Sequence, residues 1–374
     1  MVALFHAVWA SHLRGLSVIN NGWLFVDFFF ILSGFVISHT YAERLGSAAS
    51  LYSFVVKRWF RLYPLHIITF VLTMALTVLG HEFDAANTTH GVSKVDLALT
   101  LLLVHGLGFS HGTYNLPSWS ISAEFWTYVV FGLIMICVAG LRRRAVAMAA
   151  IGALALAALL TLNYPNGLFT ALEFGALRCL GGFALGTIVW QAWRATSWRP
   201  SAAAVTAMLC ALLLILWCAL ETVGIAGNTN IIVVPIFAML IYACALDTGP
   251  PFKWALESPL ARVLGRTSYS IYMLHTSVLI VASFAITRLA PDLKVASAHP
   301  HDRLFVGDLF CLGYVVAIVL SAVVSHALVE APFRRIGAHL ADTGTWLSYR
   351  RALSGTRIAA APTSLRQAAV QRQS

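Results

Sequence analysis

Nine apolar runs, each long enough to cross a lipid bilayer as a helix, dominate this sequence of 374 residues. A membrane-spanning helix needs about 17–25 predominantly apolar residues. The runs lie at residues 22–41, 61–80, 117–140, 145–163, 172–191, 202–223, 229–247, 268–288 and 305–329. Charged residues make up only 11% of the chain, whereas a soluble domain has about 25%. The sequence therefore predicts an all-α polytopic membrane protein and argues against a soluble enzyme, a disordered chain or a secreted disulfide scaffold.

Two shorter apolar segments complete the predicted topology. Residues 1–13 resemble the end of a further span, and we expect that helix to be truncated, with its beginning upstream of Met1. Residues 95–110 are apolar but short for a complete span. Irregular, re-entrant backbone is tolerated at membrane depth where protein buries it. We therefore consider residues 95–110 as either a crossing or a re-entrant segment.

Clusters of basic residues decide between these two possibilities. Cytoplasmic loops of membrane proteins carry an excess of Lys and Arg. The clusters are Lys57, Arg58 and Arg61; Arg142–Arg144; Arg194 and Arg199; Lys253, Arg262 and Arg266; and the basic residues from Arg334 onward. All of them fall on one side if residues 95–110 enter and leave at the same face. We predict about ten transmembrane helices and one re-entrant segment, with both chain ends in the cytoplasm. The net charge of +10 is explained by these orienting clusters, so we expect no nucleic-acid partner.

The end of the chain and the cysteines indicate no additional domain and no bound metal. Residues 338–374 are polar, basic and rich in Ala, Ser and Thr, a composition that predicts a loosely ordered cytoplasmic tail. The six cysteines lie in apolar stretches, and none forms a C-x-x-C pair. We interpret them as small apolar core residues and expect neither disulfides nor a metal site.

We single out four ionisable residues within predicted spans, because a buried charge there is costly and a functional role is the first hypothesis. They are His6, Asp27, Glu124 and His275. Either histidine fits a hydrogen bond within the bundle or acid–base catalysis, because an imidazole titrates near neutral pH. Asp27 lies among aromatic residues and must find a cation or donor elsewhere, as a structural ion pair or as a catalytic orienting group.

The spacing of neighbouring residues adds to this picture. Ser120 and Glu124 share one face of a helix because they are four residues apart. Tyr272 precedes His275 by three residues and is its neighbour on another helix. Ser33 and Gly34 are small residues of the kind that let helices approach closely. We predict a packing role for both.

One basic cluster lies at the predicted edge of the membrane. Lys57 and Arg61 share a helical face, and Arg58 lies beside them. Orientation in the membrane and contact with lipid headgroups explain such a cluster. A phosphate site also explains it, because the fork of an arginine guanidinium matches a pair of phosphate oxygens.

Taken in order, the motifs resemble those of the acyltransferase-3 family of integral membrane O-acyltransferases. Phe5-His6 resembles the end of the family's first helix. GWLFVDFFFILSGF at residues 22–35 resembles the signature G-x-x-G-V-D-x-F-F-x-L-S-G-F, with Phe25 at a usual Gly. FVVKRWFRLYP at residues 54–64 resembles F-x-x-R-R-x-x-R-I-x-P, with Lys57 for the first Arg.

Three later motifs continue the resemblance in the same order. WSISAE at residues 119–124 resembles W-S-L-x-x-E, and LGRTSYSIYMLH at residues 264–275 resembles L-G-x-x-S-Y-x-x-Y-L-x-H. EAPFRR at residues 330–335 resembles E-x-P-x-R-R. The resemblance covers most of the chain and implies a membrane acyltransferase domain over residues 1–337. The family's cation about eleven residues before the first histidine would fall ahead of Met1.

The resemblance implies transfer of an acyl group, most often acetyl, from cytoplasmic acyl-CoA to a hydroxyl of a cell-surface or exported glycan. Acetyl-CoA is then a donor substrate, no cofactor is bound, and the partners are the bacterial inner membrane and a glycan or lipid-linked sugar. The expected catalytic residues are His6 as base or nucleophile, with Asp27 or Glu124 orienting its ring. The expected acyl-CoA-binding residues are Lys57, Arg58, Arg61, Tyr272 and His275.

Two other classes of membrane protein compete with the enzyme. A transporter or flippase for a glycan or small acyl compound is the main alternative, because intramembrane His, Asp and Glu can relay protons. The chain shows no visible internal repeat, a common mark of secondary transporters. A membrane sensor or scaffold accounts poorly for so many polar groups within spans.

Overall fold

The structure is a computed structural model that describes residues 1–79, 92–223, 228–246, 249–293 and 304–355, and regular structure in these ranges is helical throughout. The helices of the first half are α1 Val2–Phe5, α2 Ser17–Asn20, α3 Phe25–Tyr41, α4 Ala48–Leu79, α5 Lys94–Leu101, α6 Ser118–Cys137 and α7 Leu141–Leu162. Those of the second half are α8 Gly175–Ala195, α9 Ala202–Thr222, α10 Val233–Ala245, α11 Pro250–Leu256, α12 Pro259–Leu289, α13 Leu304–Ser325 and α14 Ala331–Gly355. Each of the nine predicted apolar runs overlaps one of these helices.

Seven segments of the described chain are long and apolar enough to cross a membrane, which confirms the predicted all-α polytopic bundle. They are Gly22–Tyr41, Ala48–Leu79, Ser118–Cys137, Leu141–Leu162, Ala202–Thr222, Pro259–Leu289 and Leu304–Gly344. Two more apolar runs form α8, which has 21 residues, and α10, which has 13. The α-helix within residues 1–13 is the single turn α1, so this segment forms no helix of membrane length.

The segment at residues 95–110 does not cross the bundle as one helix. α5 has eight residues, a rise of about 12 Å against a hydrocarbon core of about 30 Å. After α5 the backbone turns through Leu103 and Gly108, both with positive φ. The Gly106 N–H donates to the Ser122 Oγ of α6 at 3.0 Å. The segment folds back against α6, as a re-entrant path requires.

Loop contacts bring three of the basic clusters to one end of the bundle. The Arg144 guanidinium donates to the Ala42 carbonyl oxygen at 2.9 Å. Arg194 forms an ion pair with Glu43 in the same loop after α3. α4 begins directly after this loop and carries the Lys57 cluster near its start. A shared end is the arrangement that the re-entrant topology predicts.

Close contact between α3 and α8 holds the centre of the bundle together. A Cβ atom on Gly34 would lie 2.0 Å from the Phe183 carbonyl oxygen, and one on Gly186 would lie 2.0 Å from the Ile31 carbonyl oxygen. Glycine, which has no Cβ, is what lets the two backbones approach this closely. The predicted packing role of Gly34 is confirmed, and the contact fixes the position of α3 relative to α8.

The end of the chain differs from the predicted loose tail. Residues 338–355 belong to α14, which continues to Gly355, so this part of the predicted tail is helical. α14 packs against α4, and a Cβ on Gly344 would lie 2.6 Å from a ring atom of Tyr52. Contacts with α4 stabilise α14, and amino-acid composition alone does not reveal such contacts. The rest of the predicted tail, residues 356–374, lies outside the described residues.

We expect Gly34→Ala to lower the thermal unfolding temperature, because its added methyl group would overlap the Phe183 carbonyl oxygen. Overpacking of this kind costs about 1–3 kcal/mol. The matched control is Gly313→Ala in α13, where an added Cβ meets no atom within 4 Å. Thermal unfolding of both variants in the same detergent measures the difference, and equal unfolding temperatures would contradict the packing argument.

Candidate active site

A cavity of about 230 Å³ lies between α3, α4, α6 and α12. Apolar side chains of α3 form much of its wall, and the polar groups come from all four helices. The polar side chains are those of Ser33, Arg58, Arg61, Ser120, Glu124, Tyr128, Ser268, Tyr269 and Tyr272. Four residues of the predicted site, Arg58, Arg61, Glu124 and Tyr272, therefore share one cavity.

Two hydroxyl groups hold Glu124 at the cavity wall. Its Oε1 atom accepts hydrogen bonds from the Ser33 Oγ and from the Tyr128 hydroxyl, each at 2.6 Å. Hydrogen bonds to an ionised acceptor are characteristically short and strong. Ser120 lines the same cavity, which confirms that it shares a face with Glu124. Ser33 has a polar role in addition to the predicted packing, because its hydroxyl donates to the carboxylate.

Arg58 and Arg61 are the two members of the basic cluster that line the cavity. The Arg58 guanidinium donates to the Tyr41 hydroxyl at 3.2 Å, and its Cζ lies 5.9 Å from the centre of the Tyr128 ring. This distance is within the range of a cation–π contact. In the part of the chain that the structure describes, Arg61 forms no hydrogen bond, so its donors are available to a ligand.

Lys57 is placed differently from the other two cations. Its Nζ atom donates to the Asp342 Oδ1 of α14 at 3.1 Å, and Lys57 does not line the cavity. Two cations of the predicted group thus face the cavity, and the third joins α4 to α14. Helical spacing placed Lys57 beside Arg61 but gave no information on the acidic partner that α14 provides.

Asp27 forms a buried ion pair with Arg178 of α8. The Arg178 Nε and Nη2 atoms donate to the two carboxylate oxygens at 2.9 and 2.7 Å, and both side chains are 3% exposed. The guanidinium also donates to the carbonyl oxygens of Thr170 and Trp23. Of the two roles left open for Asp27, the structure displays the ion pair. Sequence reasoning missed Arg178, although its position inside the predicted span at 172–191 carried the same signal as Asp27.

A backbone carbonyl fixes the ring of His6. The Nδ1 atom lies 2.9 Å from the Val2 carbonyl oxygen. A carbonyl oxygen only accepts, so Nδ1 carries the proton and the neutral ring has its lone pair on Nε2. Within the described ranges, neither Asp27 nor Glu124 forms a hydrogen bond or ion pair with His6. The contact expected from one of these carboxylates is made instead by Val2.

His275 lies beside His6 and connects it with the cavity. The two ring centroids are 5.1 Å apart, and the His275 Nδ1 lies 2.5 Å from the Tyr272 carbonyl oxygen. The Tyr272 hydroxyl accepts from the Ser120 Oγ at 2.8 Å and donates to the Pro117 carbonyl oxygen at 3.1 Å. Tyr272 and His275 lie one turn apart on α12 and therefore connect the histidine pair with the cavity wall.

The arrangement separates the predicted site into three parts. Glu124, the two arginines and Tyr272 surround the cavity. His6 and His275 form a neighbouring pair. The ion pair of Asp27 lies within the bundle and joins α3 to α8. Chemically, the cavity combines cations for an anionic ligand with a carboxylate, and the adjacent imidazoles supply lone pairs that accept protons.

The comparison with protein families adds the deciding observation. Residues 1–326 match the family model of the acyltransferase-3 acyltransferase domain. The chain belongs to the acyltransferase-3 family. It is therefore a multi-pass membrane acyltransferase, and family membership decides between the enzyme and the transporter in favour of the enzyme.

Relatives of this family member span much of its length. The acyltransferase MdmB of Streptomyces mycarofaciens is 26% identical, over 86% of this chain and 83% of its own length. The putative membrane-bound transacylase BcsY of Komagataeibacter xylinus is 28% identical, over 76% of this chain and 71% of its own. The putative peptidoglycan O-acetyltransferase YrhL of Bacillus subtilis is 24% identical, over 71% of this chain and 45% of its own. No solved structure matches the chain.

We expect Asp27→Asn to lower the thermal unfolding temperature strongly, because Arg178 would remain buried without its anion. Breaking such a pair costs about 3–5 kcal/mol. Glu124→Gln is the matched control, since its amide oxygen still accepts from Ser33 and Tyr128. Thermal unfolding in the same detergent compares the variants. An Asp27→Asn protein as stable as Glu124→Gln would show that the ion pair is not structural.

Proposed function

We propose that this acyltransferase moves an acyl group, which we assign as acetyl, from cytoplasmic acyl-CoA to a hydroxyl of a cell-surface or exported glycan. The observation that carries the proposal is the shared cavity, where Arg58 and Arg61 lie together with Glu124 and Tyr272. A phosphorylated thioester donor needs cations at one point and a largely apolar space for its acyl arm at another. Both features are present in this cavity.

The donor end of the proposal rests on the two arginines. Arginine guanidinium groups bind phosphate oxygens through paired, charge-assisted hydrogen bonds. Arg61 has donors that no described residue occupies. Arg58 donates to Tyr41 and forms no ion pair with a carboxylate among the described residues. We assign the phosphates of acyl-CoA to these arginines and the acyl arm to the cavity. Tyr272 and His275 would border the path of the thioester at the inner end.

The proposed chemistry uses the lone pair of His6. The Nε2 atom accepts the proton of the acceptor hydroxyl while the hydroxyl oxygen attacks the thioester carbonyl carbon. The carbon–sulfur bond then breaks, and the CoA thiolate takes up the proton that His6 held. Val2 fixes the tautomer that this step needs, which is the task of a carboxylate in hydrolytic triads.

The two carboxylates have different tasks in this proposal. Glu124 places a negative charge at the cavity, which favours the transient imidazolium because electrostatic attraction is strong where water is excluded. Asp27 acts through Arg178, which anchors the carbonyl groups of Trp23 and Thr170. Asp27 is thus assigned a positioning role, and Glu124 keeps the catalytic role that its sequence position suggests.

The nature of the acceptor is inferred from the relatives. One relative is described as a putative peptidoglycan O-acetyltransferase, and a hydroxyl of a glycan is the corresponding acceptor here. A glycan or lipid-linked sugar on the face opposite the basic clusters would approach the His6 end of the bundle. The positive-inside rule assigns the basic end, and with it the C-terminus, to the cytoplasmic side of the inner membrane.

We expect the two ends of the bundle to be labelled from opposite faces. A cysteine at exposed His111, beside the re-entrant segment, should react with an impermeant maleimide added to intact spheroplasts. A cysteine at exposed Ser197, between the basic residues after α8, should react only after permeabilisation. The unmodified chain with its six cysteines gives the background. Labelling of both positions from the same face would contradict the topology.

We expect His6→Ala to abolish acceptor-dependent release of CoA from acetyl-CoA by the purified enzyme in proteoliposomes. Loss of a general base typically costs 10²–10⁴-fold in rate. His12→Ala is the control, because His12 belongs to the same segment but is exposed and bonded to Asp308. Normal turnover by a folded His6→Ala protein would remove His6 from the mechanism. Release of CoA that requires the acceptor supports transfer, and its absence in the wild type contradicts the proposed reaction.

A further inference from the structure

A π-helical turn lies between α13 and α14 and carries a buried acid. The turn covers His326–Glu330, and π-turns within α-helices are frequent at functional sites. Glu330 is 2% exposed, and its Oε2 atom accepts from the Ser270 Oγ at 3.1 Å. The His326 Nδ1 lies 3.2 Å from the same oxygen. The turn therefore places the Glu330 carboxylate against Ser270 of α12. Ser270 precedes the cavity-lining Tyr272 by two residues.

Arg334 forms an ion pair with this carboxylate. Its Nη1 atom lies 3.8 Å from the Glu330 Oε1, one turn along the helix. The Arg334 side chain is 46% exposed. Glu330 can therefore orient Arg334 while most of the five guanidinium donors stay available for another ligand.

The packing of α14 on α4 shows where Arg334 lies. The two helices run antiparallel, and successive contacts join Gly344 to Tyr52 and Gly337 to Phe60. Continuing this register by one turn of α14 brings Arg334 opposite residues 62–63 of α4, directly after Arg61. Arg334 does not itself line the cavity, but it lies on the neighbouring helix close to the cavity-lining Arg61.

The charges at this point do not cancel. Arg58 and Arg61 both act electrostatically on the Arg334 guanidinium, and Glu330 is the acid that opposes them. Lys57 forms an ion pair with Asp342 and does not line the cavity. Three arginines against the two carboxylates of Glu124 and Glu330 leave an excess of positive charge beside the cavity, which is the electrostatic requirement for an anionic ligand.

We propose that Arg334, positioned by Glu330, completes a three-arginine site with Arg58 and Arg61 for the phosphate groups of the acyl donor. The inference rests on the proposed function, in which acyl-CoA is the donor. It replaces Lys57 in the sequence-derived cluster by a residue from the other end of the chain. The guanidinium of Arg334 would bind phosphate oxygens, whereas Glu330 acts through Arg334 and does not touch the donor.

The test compares the affinity for CoA with the affinity for pantetheine, which lacks the phosphates and the nucleotide. The proteins are the wild type, Arg334→Gln, Arg334→Lys and Arg335→Gln, each purified in lipid nanodiscs, and calorimetry measures Kd. Arg335→Gln is the matched control, because it removes the same charge at the adjacent position on another face of α14.

We expect Arg334→Gln to raise the Kd of CoA roughly tenfold, the effect of losing a charged hydrogen bond, and to leave the Kd of pantetheine unchanged. Arg334→Lys keeps the charge but loses the fork, so we expect an intermediate Kd for CoA. Arg335→Gln should bind both compounds as the wild type does.

The outcomes separate this inference from the proposed function. An Arg334→Gln protein that binds CoA as tightly as Arg335→Gln overturns the role of Arg334, and so does an equal loss of affinity for CoA and pantetheine. If Arg334→Gln fails to fold, the Kd of Arg334→Lys decides, and an unchanged value overturns the inference. A wild-type protein that shows no preference for CoA over pantetheine contradicts the donor in the proposed function itself.

Discussion

A charged side chain inside an apolar helix bundle must have a partner, and the buried pair of Asp27 and Arg178 is the clearest result of this constraint. The pair connects α3 with α8, the same two helices that Gly34 and Gly186 bring into close contact. α3 also carries Ser33, whose hydroxyl holds Glu124 at the cavity. The ion pair therefore acts on the site at a distance, because it fixes the wall on which Glu124 depends.

The fold was largely predictable because a bilayer fixes the length and apolar character of a spanning helix, whereas its exact residues can vary. Nine apolar runs correspond to nine helices, and the shortness of residues 95–110 indicated a segment that folds back. The helical character of residues 338–355 was missed, because polar composition does not reveal that α14 packs along α4. The first thirteen residues were also read as part of a span, whereas their α-helix is the single turn α1.

The candidate site was predictable where one helix face determines it, and not where two helices meet. Ser120 and Glu124 share a face by spacing alone, and both line the cavity. The partner of a side chain depends on how neighbouring helices are rotated, which the spacing within one helix does not encode. For this reason helical spacing groups Lys57 with Arg58 and Arg61 but does not predict its ion pair with Asp342. Arg178 is different, since the rule that singled out Asp27 applied to it equally.

The π-helical turn at residues 326–330 has a consequence for how this family member tolerates change. A π-turn accommodates one residue more than an α-turn does, and each residue rotates a helix by about 100°. Deleting a single residue there would preserve a continuous, membrane-length helix while turning the whole of α14 to a different side. Apolar length would be unaffected, yet Arg334, Gly337 and Asp342 would all lose their places on α4. An insertion or deletion in this short stretch would therefore indicate that a related sequence does not place α14 on α4 in the same orientation.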